Sequence, residues 1–342
     1  MVIKENYLLQ SHNTFHIPAR TRWFVEYDNV DELCRIISDE YFQECSSLHI
    51  GEGSNLLFIN DFNGIILHSL IKGIDIAEDL QDDVIVRIGA GERWDDVVAW
   101  AVDAGYGGIE NLSLIPGEAG AAAVQNIGAY GAEIKDVIFS VEAYNRLTGE
   151  LQLFSQPDCC YGYRHSKFKN ENDPYIVTYI NIRLTKKPVF KLDYGNIISE
   201  MNGITPSLSS VRDAVIRIRQ SKLPDPATLG NAGSFFINPV VDKSVYENLK
   251  SSYPDMPSYP IADDAANKIK IPAAWLIERC GFKGKQEGNA GVYDRQALII
   301  VNHGGATGEE IAAFADKIIA AVNTRFGITI KPEVRSVASN TF

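Results

Sequence analysis

Ser113-Leu-Ile-Pro-Gly-Glu-Ala-Gly-Ala-Ala-Ala-Val-Gln-Asn-Ile-Gly-Ala-Tyr-Gly131 is the stretch that decides how this chain is read. Glycines stand at 117, 120, 128 and 131, alanines fill much of the rest, and Glu118 is the one charged side chain. Pro116 and the glycines interrupt a helical hydrogen-bond ladder, so an ordinary helix is not expected here. Residues this small cannot build a core alone. They let backbone approach something closely, and their N–H groups can meet an anion where no side chain intervenes. A tight buried crossover between strands would use the same residues.

Working outward, a second glycine loop, Gly51-Glu-Gly-Ser-Asn55, lies between two short apolar runs at 47–50 and 56–59 that read as strands. It is not a dinucleotide fingerprint, because Leu56 stands where a third glycine belongs and no helix follows. A hairpin turn would explain it equally well. Further strands are expected at 65–67, 84–88, 137–144 and 175–184. A helix is expected over 94–102, where Val97, Val98, Ala101 and Val102 share one face and Gly105 ends it. The pattern is that of an α+β protein wrapped around glycine loops.

Beyond residue 200, a helix is expected over 207–220, with Ser210 and Asp213 as its capping box. Pro224 and Pro226 then mark a domain boundary. Further helices are expected at 272–280, entered by proline and left at Gly281, and at 307–326, opened by Thr307 and Glu310.

Composition limits the function. The 342 residues are 45% hydrophobic and 22% charged, as in a globular protein. A formal charge of −12 speaks against a nucleic-acid partner. There is no signal-peptide core and no run of about 18 apolar residues, so no membrane span is expected. Five cysteines without a C-x-x-C pair fit reduced thiols, and a cytoplasmic location is expected. His12 and His16 have metal-binding spacing, but Pro18 follows and no acid lies between them, so no metal is expected.

Some polar residues could do chemistry. Ser234 follows Gly233 and precedes two phenylalanines. It is outside any G-x-S-x-G elbow and reads as a proton donor or as a turn-capping hydroxyl. Arg164 could grip a carboxylate or phosphate, or make a surface ion pair. Glu333 reads as a solvated charge unless a site forms around it. Arg219, Lys222, Lys283 and Lys285 could supply the local positive charge that an anion would need in an acidic protein.

Taken together, these motifs resemble the UDP-N-acetylenolpyruvoylglucosamine reductases, flavoenzymes of peptidoglycan synthesis. The likeness runs from Asn13-Thr-Phe15 to Pro332-Glu-Val-Arg335, with the motifs in the family's order. Between those ends come Gly51-Glu-Gly-Ser-Asn55, Ile115-Pro-Gly117, Gln125-Asn-Ile-Gly-Ala-Tyr-Gly131, Gly162-Tyr-Arg164, Lys222-Leu-Pro224 and Asn231-Ala-Gly-Ser-Phe-Phe236. Each is weak alone; the ordered set is specific.

The resemblance implies a vanillyl-alcohol-oxidase/PCMH-like FAD-binding fold in two parts, 1–71 and 72–218. It adds a substrate-covering α+β domain over 219–327, with 328–342 rejoining the first part. Non-covalent FAD is expected against Gly51, Glu52, Gly53, Ser54, Asn55, Pro116, Gly117, Gly120, Gln125, Asn126, Ile127, Gly128 and Gly131, with Arg219 at the rim. NADPH would reduce the flavin, whose N5 then passes hydride to the vinyl carbon of UDP-N-acetylglucosamine enolpyruvate. By family match Ser234 protonates the adjacent carbon, while Arg164 and Glu333 hold the carboxyl group. Tyr163, Lys222, Asn238, Lys283 and Gln296 match pocket positions. Tyr194 matches a loop tyrosine of the longer, type I form. A monomer is expected.

Two residues depart from the family pattern. Glu118 would repel a pyrophosphate and is expected to point away; Ile237 stands where lysine is common. Another flavin oxidoreductase of this fold, or a non-catalytic flavin or nucleotide-sugar binder, would share the scaffold. Retention of Ser234, Arg164 and Glu333 speaks against both.

Overall fold

A computed structural model describes residues 1–170, 173–259 and 267–338. They form two compact units, one of Met1–Tyr7, Thr21–Glu52 and Asn63–Ser221, the other of Leu8–Arg20, Gly53–Phe62 and Lys222–Phe342.

The first unit is built on a five-stranded antiparallel sheet. Its order is Glu150–Ser155, Ile138–Asn145, Tyr175–Thr185, Asp83–Gly89 and Ile74–Asp79. Val84, Val86 and Ile88 pack with Ile180, Ile182 and Leu184 into one buried cluster. The helix Trp94–Asp103 adds Trp94, Val97, Val98 and Ala101 to it, the one-sided spacing read from the sequence. Each large apolar side chain so buried contributes about 1.5–3 kcal/mol. Its Trp94 indole is satisfied by donating to the Leu112 carbonyl at 3.0 Å.

The glycine-rich stretch departs from expectation by containing a helix, Ala119–Gln125. Pro116 and Gly117 precede it and left-handed Asn126 (φ 46°) ends it, so only Gly120 lies inside. A Cβ at Gly120 would come within 2.8 Å of the Ala90 side chain, and the Gly120 N–H donates to the Ala90 carbonyl at 2.9 Å. The helix is thus pressed onto the end of the strand Asp83–Gly89. Close packing overrides the propensity cost of one glycine.

A second sheet in this unit has the order Val2–Leu8, Arg20–Tyr27, Phe62–Ser69, Ser47–Ile50, and its last pair is parallel. Ser47–Ile50 therefore does not form a hairpin with Leu56–Phe58. The capping expectation near residue 210 is also corrected. The helix runs Leu208–Lys222, and the reciprocal bonds join Ser207 to Ser210, whose N–H groups donate to each other's hydroxyls. Asp213 is exposed.

In the second unit Leu56–Phe58 pairs in parallel with Arg335–Val337. A four-stranded sheet orders Gly230–Asn231, Ile300–Asn302, Ala290–Val292 and Gln286–Glu287. The helix Gly308–Phe326 begins at a Thr307/Glu310 capping box and ends at left-handed Gly327. Its first residue lies so close to another segment that a Cβ on Gly308 would sit 1.8 Å from the Phe58 carbonyl oxygen. Gly308→Ala is expected to destabilise the protein by about 2 kcal/mol or more, read as a lower urea midpoint. An unchanged midpoint would contradict this packing.

Candidate active site

In the first unit, Arg164 is held in a left-handed conformation (φ 52°) between Tyr163 and His165. Its Nη2 donates to the Gly128 carbonyl at 3.2 Å, and its own carbonyl accepts from Lys169 Nζ at 3.0 Å. The guanidinium is thereby placed on the glycine-rich segment. Asn126 reinforces this, its Nδ2 donating to the Gly162 carbonyl at 2.8 Å and to Glu133 Oε2 at 3.2 Å.

Arg219 reaches the same segment, its Nε donating to the Leu114 carbonyl at 3.2 Å. Burial pushes its pKa down, and the charges of Tyr130, Asp95 and Arg164 act on it as well. Tyr194, exposed, lays its ring where a Gly131 Cβ would be 2.5 Å away.

The two glycine segments meet through carboxylates. Gly117 N–H donates to Glu52 Oε2 at 2.9 Å, while Glu52 Oε1 pairs with Arg93 at 3.2 Å. Ala119 and Gly120 N–H groups donate to the Glu92 and Ala90 carbonyls. Glu118 turns into the protein, its Oε1 lying 2.8 Å from His68 Nε2. Just before Ile115, the Leu114 N–H donates to Asp95, which also takes a bidentate pair from Arg212 at 2.7 and 3.0 Å.

In the second unit, Ser234 is exposed at a tight turn. Phe235 fixes that turn by donating its N–H to the Leu298 carbonyl at 2.7 Å and accepting the Glu333 N–H at 2.8 Å. Gln296 lies one residue from Ala297-Leu298, with its Oε1 accepting from the Leu298 N–H at 3.3 Å. Asn55 Nδ2 donates to the Glu333 carbonyl at 3.3 Å, and Asn55 O accepts from Arg335 N–H at 3.0 Å. Main-chain and side-chain bonds thus tie Asn55 to Glu333, Glu333 to Phe235 and Phe235 to Leu298, with Ser234 one residue before Phe235 and Gln296 two before Leu298. Lys222 is exposed, Lys283 pairs with Glu278, and Asn238 Oδ1 accepts from Ala273 N–H at 2.9 Å. Gly53 takes a positive φ of 68°, and a Cβ there would meet the His12 carbonyl.

Residues 21–155 match the family model of an FAD binding domain, and residues 225–337 match that of the UDP-N-acetylenolpyruvoylglucosamine reductase C-terminal domain. A UDP-N-acetylenolpyruvoylglucosamine reductase of Porphyromonas gingivalis is 51% identical, covering 98% of this chain and 100% of its own. One of Bacteroides fragilis is 48% identical over the same shares. The chain belongs to the UDP-N-acetylenolpyruvoylglucosamine reductase family. It is an FAD-binding oxidoreductase. A solved reductase of this family from Thermus caldophilus, 21% identical, shares the fold with a TM-score of 0.69 over 98% of this chain and 99% of its own. A solvent-stable cholesterol oxidase, 11% identical, aligns at a TM-score of 0.52 over 97% of this chain and 86% of its own, as expected of the vanillyl-alcohol-oxidase/PCMH-like scaffold.

Sequence reasoning did not single out His68, Glu52's bond to Gly117, or the Asp95–Arg212 pair. Nothing in the local pattern marks them, since each partner lies far along the chain. Among the described residues no group of three or more His, Cys, Asp or Glu could hold a metal ion, and no helix is long and apolar enough to cross a membrane.

Burial raises the pKa of Asp95, but the Arg212 hydrogen bond and the Leu114 N–H outweigh it and hold the carboxyl below its usual value. A depressed pKa stabilises the fold above the unfolded-state value and loses that contribution as pH falls through the folded one. Asp95→Asn is therefore expected to cost about 2 kcal/mol at neutral pH. The deficit should close as pH falls below about 4, measured by urea unfolding across a pH series. A deficit that stays constant with pH would remove the charge from this account.

Proposed function

We propose that the chain reduces UDP-N-acetylglucosamine enolpyruvate to UDP-N-acetylmuramate with NADPH as electron source, in cytoplasmic peptidoglycan precursor synthesis. The observation that carries this reading is the convergence of Asn55, Ser234, Gln296 and Glu333 around one turn. Proton delivery to a developing enolate requires an exposed donor on a fixed turn, and exposed Ser234 next to Phe235, whose carbonyl accepts the Glu333 N–H, supports that reading.

The residues present fit FAD. Small residues at 117, 119–123, 128 and 131 permit close backbone approach, and the single acid among them is turned onto His68. Because the Gly117, Ala119 and Gly120 N–H groups already have protein partners, those positions would serve by closeness rather than by donating. Gly51, Glu52, Gly53, Ser54, Asn55, Pro116, Gln125, Asn126, Ile127, Gly128 and Gly131 complete the proposed lining. FAD, when bound, supplies hydride transfer from NADPH to the vinyl carbon of the substrate.

The protein's own task is to manage the charge this creates. Hydride addition leaves an electron pair on the adjacent carbon, delocalised into the carboxyl group. Ser234 Oγ donates its proton to that carbon, and the carboxyl is held by Glu333 and by the guanidinium of Arg164. Groups already fixed in place stabilise such charge without reorganising. Lys222, Lys283, Asn238, Gln296, Tyr163 and Tyr194 are assigned to the rest of the substrate, with the chain acting as a monomer. We further propose the family's division into 1–71 with 328–342, 72–218 and 219–327.

Anaerobic stopped-flow tests this. NADPH should bleach the flavin absorbance, and UDP-N-acetylglucosamine enolpyruvate should restore it. Ser234→Ala should leave bleaching within about twofold and slow recovery by at least about a hundredfold, the range of a lost general acid. Bleaching without recovery in the unaltered protein would overturn the substrate. Equal slowing of both steps in the variant would remove Ser234 from proton transfer.

A further inference from the structure

Glu118 lies in the turn after Pro116 and Gly117, and a carboxylate is the wrong charge for a site that receives a pyrophosphate. Its side chain is nevertheless buried, at 7% exposure. Oε1 lies 2.8 Å from His68 Nε2, and Oε2 lies against Gly51, where an added Cβ would approach to 3.0 Å. His68 is the penultimate residue of the strand Phe62–Ser69 and stands in register opposite Ile50, the residue before Gly51. On its other side Nδ1 is 3.2 Å from Glu26 Oε1, and Glu26 Oε2 meets Lys4 Nζ at 3.4 Å. One imidazole therefore bridges two carboxylates, and only the protonated ring can donate to both.

Other groups surround the cluster. His49, hydrogen-bonded to the Tyr27 hydroxyl at 2.6 Å, feels the charge of His68, and Glu52 and Lys72 act on Glu118. Burial opposes charge on His68, but the carboxylates, Glu118 foremost, outweigh it and raise its pKa. Burial raises Glu118 as well, despite its bond to His68. Glu26 is lowered against its burial by His68 and Lys4. The cluster is built to keep its proton.

We propose that His68 is a positioning residue for FAD binding, holding the Glu118 carboxylate inside the protein and so keeping negative charge out of the turn that receives the cofactor's pyrophosphate. The inference rests on the FAD-site reading of residues 51–55 and 116–131. A histidine that merely filled the core would stabilise the fold without any dependence on the charge of Glu118.

FAD affinity of the apoprotein, followed by quenching of flavin fluorescence, separates these cases. His68→Gln should weaken FAD about tenfold or more, because the released carboxylate competes with the pyrophosphate at short range. Glu118→Gln should bind FAD at least as tightly as the unaltered protein, and the double variant should recover that affinity. Thermal melts check that each variant is folded. Should His68→Gln not fold, the decisive comparison is pH. Affinity of the unaltered protein should fall as pH rises past the ordinary imidazole range and the ring loses its proton, and that of Glu118→Gln should stay flat. Undiminished affinity in folded His68→Gln, failure of Glu118→Gln to rescue it, or identical pH profiles would overturn the positioning role. No FAD binding by the unaltered protein would instead overturn the cofactor reading on which it stands.

Discussion

Two carboxylates crossing between the glycine segments set the terms for what surrounds them. Glu52 reaches from the first segment to the Gly117 N–H of the second, and Glu118 reaches back to lie on Gly51 of the first. A charge-assisted bond such as that to Gly117 is worth about 1.5–3 kcal/mol. The reciprocal contact is tight, for a Cβ on Gly51 would lie 3.0 Å from Glu118 Oε2. Burying Glu118 carries a desolvation cost, and an unpaired buried carboxylate would be strongly destabilising. His68 answers that cost, Glu26 answers His68, and Lys4 reaches Glu26 at the edge strand. One misplaced-looking acid in the sequence thus accounts for a line of residues on several strands.

This explains which parts of the molecule the sequence reveals. The helix Trp94–Asp103 and the long strands are legible because their periodicity is imposed by the core they face, and Val97, Val98 and Ala101 announce that face directly. The helix Ala119–Gln125 is not legible. Its flanks carry the helix breakers, and its stability comes from resting on Ala90, a contact that no local pattern encodes. Parallel pairing is hidden for the same reason. Ser47–Ile50 finds Phe62–Ser69, and Leu56–Phe58 finds Arg335–Val337, although the loop between the two short strands looks like a hairpin. His68, on an apolar strand, has the sequence signature of an ordinary core histidine.

The site divides in the same way. Motif order marks Ser234 and Glu333 separately, and the structure adds that Phe235 hydrogen-bonds the main chain of both Leu298 and Glu333. Motif order also marks Asn126, Asn238 and Lys283, without showing that each has a structural partner in Gly162, Ala273 and Glu278. Such residues can shape a site by holding backbone in place, whatever they contribute by touching a ligand.

Placement of the serine follows from these supports. An exposed hydroxyl on a mobile loop would have to be ordered at the moment of reaction, losing backbone freedom worth about 1–2 kcal/mol per residue. Here the ordering is supplied on folding. Gly233 takes a positive φ of 66° that reverses the chain, with nothing near enough to obstruct a side chain, so conformation alone calls for glycine. Immediately after Ser234, Phe235 and Phe236 are buried to 2% and 1% exposure, with ring centroids 5.0 Å apart and Phe15 against Phe235. The two rings anchor the turn while leaving the hydroxyl outside. A weak acid such as serine depends on arriving substrate meeting it in a fixed orientation, and buried aromatic anchors beside an exposed reactive group supply that. The apolar pair that looks like plain core in Gly-Ser-Phe-Phe is what holds the exposed turn at Ser234 in place.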